Sequence, residues 1–139
     1  MNVRRRLTAL AMCAALLLGG CTMGAKDYRD AVEGSVSKSD VYEVAFVTSE
    51  RVGIGAKYIL VEVTFDHVPT EDEFAELVRN VTSPFPALSR HGLQLGIDVP
   101  TDPEFSLEDA FGGWFPGAVF APNLIITDVS VLREGVEGR

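Results

Sequence analysis

Two histidines are the only imidazole side chains of the chain, and they are the first candidates for acid–base or metal chemistry. His67 follows Asp66 at the end of a predicted strand, and His91 begins the next predicted strand after a helix. Neither histidine belongs to a recognised metal-binding spacing such as HExxH, and nothing in the sequence requires the two to be close. The pattern therefore favours solvated turn residues over a metal site or an acid–base pair.

Acidic residues lie close together in the segment DVPTDPEF and just after it. Closely spaced carboxylates can bind Ca²⁺, which takes about six to eight oxygen ligands. The EF-hand spacing is absent, however, and two prolines interrupt the run. We therefore expect a solvated acidic surface and no metal. The residues concerned are Asp98, Asp102, Glu104, Glu108 and Asp109.

Catalytic motifs are hard to find in the rest of the chain. GIGAK, at residues 53–57, lacks the GK[ST] ending of a phosphate-binding loop and is typical of a hairpin turn. No serine lies in a GxSxG motif or next to a histidine in the sequence. We therefore expect a non-enzymatic protein that has no cofactor.

The segment FGGWFPGAVF, residues 111–120, concentrates aromatic side chains among glycines and a proline. With Phe105, it holds five of the twelve aromatic residues of the chain within sixteen positions. The glycines and the proline predict an irregular loop, and aromatic side chains on loops often dominate binding interfaces. The favoured interpretation is that these side chains plug the end of the sheet, and the alternative is a recognition surface. The candidate ligand- or partner-binding residues are Phe111, Trp114, Phe115 and Phe120.

The N-terminus has the pattern of a secretory signal. Arg4, Arg5 and Arg6 precede an apolar run, Leu7 to Leu18, and small residues come after it. A permanent membrane-spanning helix needs roughly 20 apolar residues, so this run is too short. The arginines favour a cytoplasmic N-terminus and therefore export of the rest of the chain. We predict a signal peptide over residues 1–20.

The end of this segment, Leu18-Gly19-Gly20-Cys21, resembles the lipobox of bacterial lipoproteins. The resemblance implies that the Cys21 sulfur receives a diacylglyceryl group and that the chain is cut between Gly20 and Cys21. Two acyl chains anchor a protein stably, whereas one gives marginal binding. The resemblance thus implies a lipid anchor on the extracytoplasmic face of the cell membrane, with residues 21–25 as a tether.

Such processing would leave a small and strongly acidic domain. Its twelve Lys and Arg residues would fall to nine against twenty Asp and Glu, which is a net charge of −11. This charge disfavours nucleic acid as a partner and repels anionic lipid headgroups, so the lipid must provide the attachment. Because the other cysteine, Cys13, lies in the signal, we expect neither a disulfide nor a cysteine metal site in the domain.

The best-supported element of the domain is a helix over residues 70–81. Thr70 and Glu73 have the spacing of a capping box, and Pro84 ends the helix. The apolar stripe of this helix consists of Phe74, Leu77, Val78 and Val81.

The other elements are predicted from alternating patterns and turn residues. A weak helix at residues 26–33 ends at Gly34, and strands are expected at residues 40–49, 57–66, 93–99 and 123–132. Ser106 and Asp109 frame one or two helical turns before Gly112 and Gly113.

This order predicts an α+β domain with a mainly antiparallel four-stranded sheet, one strong helix and one or two short helices. The order is similar to that of ferredoxin-like sandwiches. We expect one domain at residues 26–133 and a frayed tail at residues 134–139. The leading functional prediction is a membrane-anchored lipoprotein that contacts an envelope protein. The alternative is a lipoprotein that binds a small ligand or solute at the aromatic segment, and a hydrolase is least favoured.

Overall fold

The computed structural model describes residues 28–52 and 56–139, which form four α-helices, five β-strands and one 3-10 turn. The helices are α1 (Arg29–Val36), α2 (Glu71–Thr82), α3 (Leu107–Phe111) and α4 (Val129–Val136), and the 3-10 turn is Gly112–Trp114. The strands are β1 (Glu43–Val52), β2 (Ala56–Thr64), β3 (Gly92–Asp98), β4 (Val119–Ala121) and β5 (Leu124–Asp128). The predicted signal peptide and tether, with Cys21, lie outside the described residues.

The strands form a single sheet in the order β1-β2-β3-β5-β4. Only the β2–β3 pair is parallel, and α2 connects these two strands along the chain. The other three pairs are antiparallel, which confirms the predicted α+β class and the mainly antiparallel sheet. The sheet has one strand more than we predicted, because the short strand β4 pairs with β5 at the edge.

The resemblance to a ferredoxin-like sandwich is wrong at the level of topology. A split βαβ unit places another strand between its two parallel strands. Here β2 and β3 are hydrogen-bonded neighbours, with Val61 opposite Leu95 and Val63 opposite Ile97. The order of elements along the chain could not distinguish these two arrangements.

Helix α2 forms as the sequence predicts. Thr70 Oγ1 accepts a hydrogen bond from the Glu73 amide at 3.2 Å, and Glu73 Oε1 accepts one from the Thr70 amide at 3.3 Å. Both bonds of the capping box are therefore present, and they satisfy amides that the helix itself leaves unpaired. The four residues of the predicted apolar stripe, Phe74, Leu77, Val78 and Val81, are all fully buried.

Helix α1 begins and ends three residues later than the predicted helix at residues 26–33. It places Val32 and Val36 in the core, and Gly34 lies inside the helix instead of ending it. The first two strands also extend further into the predicted hairpin, to Val52 and back to Ala56. Residues 53–55, which belong to the predicted turn, lie outside the described residues.

The last predicted strand, residues 123–132, is wrong in its second half. Strand β5 ends at Asp128, which is the N-cap residue of α4. Val129, Leu132 and Val136 are buried and lie at the i, i+3 and i+7 spacing of one helix face. The predicted frayed tail, residues 134–139, is wrong for its first three residues, because α4 continues to Val136 and buries Gly135.

Arg133 on α4 fixes the end of α2. Its guanidinium donates to the carbonyl of Thr82 at 2.6 Å and also to the carbonyls of Phe85 and Pro86. A cation at this position satisfies carbonyls that a helix C-terminus leaves unpaired and interacts favourably with the helix dipole. Helices α2 and α4 are thereby joined into one layer, with α1 against α2 on the other side.

The free edge of β1 is partly occupied by α1. Arg29 Nε donates a hydrogen bond to the Val47 carbonyl at 2.9 Å. The register of β1 against β2 shifts between Val44 and Phe46, which indicates a β-bulge in the edge strand.

Candidate functional site

The aromatic segment is mainly part of the core. Phe111 and Phe115 are only 4% and 1% exposed, and Phe111 stacks on Phe74 of helix α2 with ring centroids 4.0 Å apart. These two residues therefore do not present a recognition surface, as the alternative interpretation required. Both side chains belong to the hydrophobic core, and that they plug the end of the sheet stays a prediction.

Trp114 and Phe120 are the two candidate residues that remain partly exposed. The guanidinium of Arg139 lies 4.1 Å from the ring centroid of Trp114, which is within the range of a cation–π interaction. The segment is also more regular than we expected, because Phe111 ends helix α3 and Trp114 ends the 3-10 turn.

Gly135 shows how closely α4 approaches this aromatic cluster. A Cβ atom at Gly135 would lie 2.3 Å from Phe115 Cε1 and 2.7 Å from the Trp114 carbonyl oxygen. Such distances are far below van der Waals contact, so the space between α4 and the cluster is already filled.

His67 lies between two carboxylates at the N-terminal end of α2. Its Nε2 is 2.6 Å from Glu73 Oε2, and its Nδ1 is hydrogen-bonded to Asp66 Oδ1. The side chain is half exposed, with 50% of its surface accessible, whereas Glu73 is 20% accessible. The predicted turn position of His67 is confirmed, but its ring is fixed by two ionic partners.

These contacts favour the ionised forms of both partners. The hydrogen bonds to Asp66 and then to Glu73 raise the pKa of His67 above its usual value. Partial burial opposes ionisation of Glu73, but the hydrogen bonds from His67 and Thr70 outweigh this effect and lower the pKa of Glu73. The Glu73 carboxylate thus links the imidazolium to the capping box of α2.

His91 is far from His67 in the topology of the sheet. His67 follows the C-terminal end of β2, whereas His91 precedes the N-terminal end of β3, and these strands are parallel. The two histidines therefore lie at opposite ends of the sheet. His91 is half buried rather than solvated, because it packs against the rings of Tyr28 and Phe85 at 5.6 and 5.3 Å between centroids.

The residues of the predicted acidic run take part in a turn and in the N-terminal cap of α3. Asp102 accepts a hydrogen bond from the Glu104 amide at 3.2 Å, and Ser106 caps α3 by accepting one from the Asp109 amide at 3.3 Å. Acidic residues in the first turn of α3, Glu108 and Asp109, suit its dipole. Among the described residues, no group of three or more His, Cys, Asp or Glu side chains has the arrangement of a metal site.

The sheet has two faces of different character. Helices α1, α2 and α4 cover one face, where Ile59, Val61 and Val63 of β2 are at most 2% exposed. The residues between them alternate to the opposite face and are half buried. We call this opposite surface the open face.

Strand register defines four rows of residues across the open face. The first row is Glu43, Thr64 and Asp98, and the second is Phe46, Glu62, Gly96, Leu124 and Ala121. The third row is Thr48, Leu60, Gln94, Ile126 and Val119, and the fourth is Glu50, Tyr58, Gly92 and Asp128. The β-bulge in β1 keeps Glu43 and Phe46 on the same face.

The open face combines exposed apolar side chains with acidic ones. Phe46 is 45% exposed and Val119 is 61% exposed, at opposite edges of the sheet. Five carboxylates belong to these four rows, and none of the residues in the rows is Lys or Arg. A partly apolar surface that residues 28–52 and 56–139 leave exposed is a common feature of interaction sites.

A depression lies at the centre of the second row. Gly96 has no side chain, and a Cβ atom there would be 3.6 Å from Glu62 Cγ and 3.7 Å from Leu124 Cδ1. The depression measures about 380 Å³ and is lined by these residues together with Asp98 and Pro122. At the other glycine of β3, Gly92, the Tyr58 ring occupies the equivalent space.

The sequence contained a signal for the open face that our prediction did not use. Strand β2 was predicted from its apolar face, and Glu62 and Thr64 were assigned to the polar face. Leu60 and Tyr58 alternate with the core residues in the same way and therefore belong to that second face. Apolar side chains on both faces of a strand indicate either a second buried layer or a binding surface.

Helices long and apolar enough to cross a membrane do not occur within residues 28–52 and 56–139. Comparison of the chain with protein-family models, curated protein sequences and solved structures finds no match.

Proposed function

We propose that this protein is a lipid-anchored, non-enzymatic lipoprotein on the extracytoplasmic face of the cell membrane, whose domain binds another envelope protein. The single observation that supports binding most directly is the open face, which carries the exposed Phe46 and Val119 together with the half-buried Leu60 and Ile126. The support for the anchor is the lipobox-type sequence that ends at Cys21.

The domain and the anchor have complementary properties in this proposal. The predicted mature chain carries about eleven more acidic than basic charges, so anionic headgroups repel it. A diacylated cysteine would hold the domain near the bilayer without requiring any membrane contact by the domain. The open face would then remain available to a protein partner.

The polar side chains that could do chemistry have structural partners, which supports a binding role over catalysis. His67 is held by Asp66 and Glu73, and Glu73 also completes the capping box of α2. Trp114 is partly covered by Arg139. A catalytic histidine needs a ring nitrogen that can exchange a proton with a substrate, and both ring nitrogens of His67 are already hydrogen-bonded to carboxylates.

The anchor can be tested by intact-mass analysis of the protein purified from membranes of its native host. We expect a chain that begins at Cys21 and carries a diacylglyceryl adduct. Cys21→Ala should abolish both the adduct and the membrane fractionation, whereas Cys13→Ala should retain both. A wild-type chain that still begins at Met1, or one cut elsewhere without an adduct, would refute the anchor.

The contact with an envelope protein can be tested by site-specific photocrosslinking in intact cells. A photoreactive amino acid at Val119 would report on the open face, and one at the exposed Glu134 of α4 is the matched control. We expect one recurrent protein adduct, identified by mass spectrometry, from position 119 and not from position 134. Equal adduct patterns from both positions would contradict binding through the open face.

A further inference from the structure

We infer that the open face binds a cationic, partly apolar segment of another protein, with one Lys or Arg side chain seated over Gly96 between Glu62 and Asp98. This inference rests on the proposed function, because it names the surface and the chemistry of the partner. It is carried by the charge of the face, by its apolar rows and by the depression at Gly96.

The negative charge of the open face favours a positively charged partner. The open face contains five carboxylates, and none of the residues in its rows is basic. Complementary charge accelerates encounter and excludes partners of the same sign. The carboxylates concerned are Glu43, Glu50, Glu62, Asp98 and Asp128.

The arrangement of the rows determines the form of the partner. Acidic residues lie mainly in the first and fourth rows, at the two ends of the strands. Between them the third row brings Leu60, Ile126 and Val119 across the sheet. A partner that matches this surface has apolar side chains at its centre and basic side chains on both sides of them.

The depression at Gly96 suits a long basic side chain. Leu124 and Pro122 form apolar walls that can contact the aliphatic part of a Lys or Arg side chain. Glu62 and Asp98 line the same depression and can accept hydrogen bonds from its charged end. Gly96 itself is buried, and its lack of a side chain leaves the depression between Glu62 and Leu124.

Two other occupants are disfavoured by the same charges. A second copy of this chain would place ten carboxylates against each other if the two open faces met. An anionic lipid surface would be repelled for the same reason. A protein segment with basic and apolar side chains is therefore the occupant that the surface favours.

The test uses the purified full chain and three fluorescent peptides of about ten residues, a length near that of a long strand. The first peptide has a central run of Ile flanked on both sides by Lys, the second has Glu in place of Lys, and the third has Ser in place of Ile. Fluorescence anisotropy is measured in nonionic detergent, and micelles without protein provide the blank. We expect the Lys–Ile peptide to bind at least about tenfold more tightly than either of the others.

Charge reversal and filling of the depression locate the binding site. Glu62→Lys with Asp98→Lys should weaken binding of the Lys–Ile peptide by about tenfold or more. Glu134→Lys in α4 with Glu137→Lys at its C-cap is the matched control, since it changes the net charge equally at two exposed positions. Gly96→Val should also weaken binding, and its side chain would begin at ordinary contact distances from Glu62 and Leu124. Circular dichroism checks that every variant remains folded.

Each outcome decides the inference. Preference for the Lys–Ile peptide, lost in the open-face variants and kept in the control, supports it. Equal binding of the Lys–Ile and Glu–Ile peptides, equal losses in both charge-reversal variants, or stronger binding by a second copy of the chain would overturn it. A missing lipid adduct would refute the anchor alone, because the peptide titration does not depend on the location of the protein.

Discussion

The covered and open faces of the sheet are made by the same strands but have different environments. On the covered face, Val61 and Leu95 lie opposite each other and are almost completely buried under the helices. On the open face, the neighbouring Leu60 and Gln94 are only half buried. Adjacent residues along a strand therefore have different roles in this molecule.

This difference indicates how stability and recognition are divided. Burial of apolar area stabilises the fold in proportion to the surface removed from water, and the covered face removes more of it. The open face keeps Phe46 and Val119 accessible, and in the proposed function a partner buries them. Substitutions on the covered face should change the free energy of unfolding, whereas substitutions on the open face should change binding.

The largest effect is expected from truncating a leucine on each face. Leu95→Ala removes a fully buried side chain and should lower the free energy of unfolding by about 2–5 kcal/mol. Leu60→Ala, on the half-buried open face, should cost about 1 kcal/mol or less. Urea unfolding followed by circular dichroism measures both. Equal losses in the free energy of unfolding would show that side chains on the two faces are equally buried, which would contradict the difference between the faces.

A smaller effect is expected where α4 closes over the aromatic cluster. Gly135→Ala introduces a Cβ atom that overlaps Phe115 and the Trp114 carbonyl, so we expect a loss of about 1–3 kcal/mol. Gly34→Ala provides the matched control in α1, because a Cβ atom there would meet nothing within 4 Å apart from its chain neighbours and the backbone of its own helix. There the better helix propensity of alanine should stabilise the protein by about 0.5–1 kcal/mol. A Gly135→Ala protein as stable as wild type in thermal unfolding would contradict the close packing.

The layer that covers the sheet can also be loosened at Arg133. Arg133→Met keeps most of the aliphatic side chain but removes the hydrogen bonds to the carbonyls of Thr82, Phe85 and Pro86. We expect a loss of about 1–2 kcal/mol in the free energy of unfolding. Arg90→Met, at an exposed position, should change it by less than about 0.5 kcal/mol. Hydrogen exchange should show the loss of protection first at the C-terminal end of α2.

The smallest effect is expected at the rim of the sheet, where stability should depend on pH through His67. The pKa of His67 is higher in the folded protein than its usual value of about 6.5. The contribution of protonated His67 to the free energy of unfolding is therefore complete below pH 6.5 and is lost as the pH rises through the pKa of the folded state. The lowered pKa of Glu73 means that its contribution is present above the usual value of 4.5 and is lost as pH falls through the folded value.

Because the pKa of His67 is raised and that of Glu73 is lowered, their ion pair is most stabilising between about pH 4.5 and 6.5. Urea midpoints of the wild type and of His67→Gln should therefore differ more at the upper part of this window than well above it. A difference that stays constant, or increases, as the pH is raised would show that the ion pair does not contribute.

Local signals in the sequence were sufficient to predict helix α2 and the covered face. The capping box of Thr70 and Glu73 and the apolar stripe are determined by spacing within a few residues. Alternation likewise identified the buried side of β2 and β3. These elements depend mainly on neighbours along the chain, so a single sequence contains the information.

Elements that depend on distant neighbours were predicted less well. The segment after Asp128 is rich in β-branched residues, and we extended the strand through it, although Asp128 could also cap a helix. Burial of Phe111 and Phe115 follows from the position of Phe74 on α2, which is distant along the chain. The open face depends on strand order, since only the pairing of β2, β3 and β5 brings Leu60, Gly96 and Ile126 together.

The contact between Arg29 and the Val47 carbonyl has a consequence for self-assembly. The ten-residue strand β1 lies at the edge of the sheet, and such an edge can template the addition of a strand from another molecule. Because a cationic side chain already engages one of its carbonyls and a bulge distorts the register nearby, an incoming strand cannot form a regular ladder across Val44–Val47. When many copies are close together, strand addition along the full length of this edge is therefore interrupted near the middle of β1.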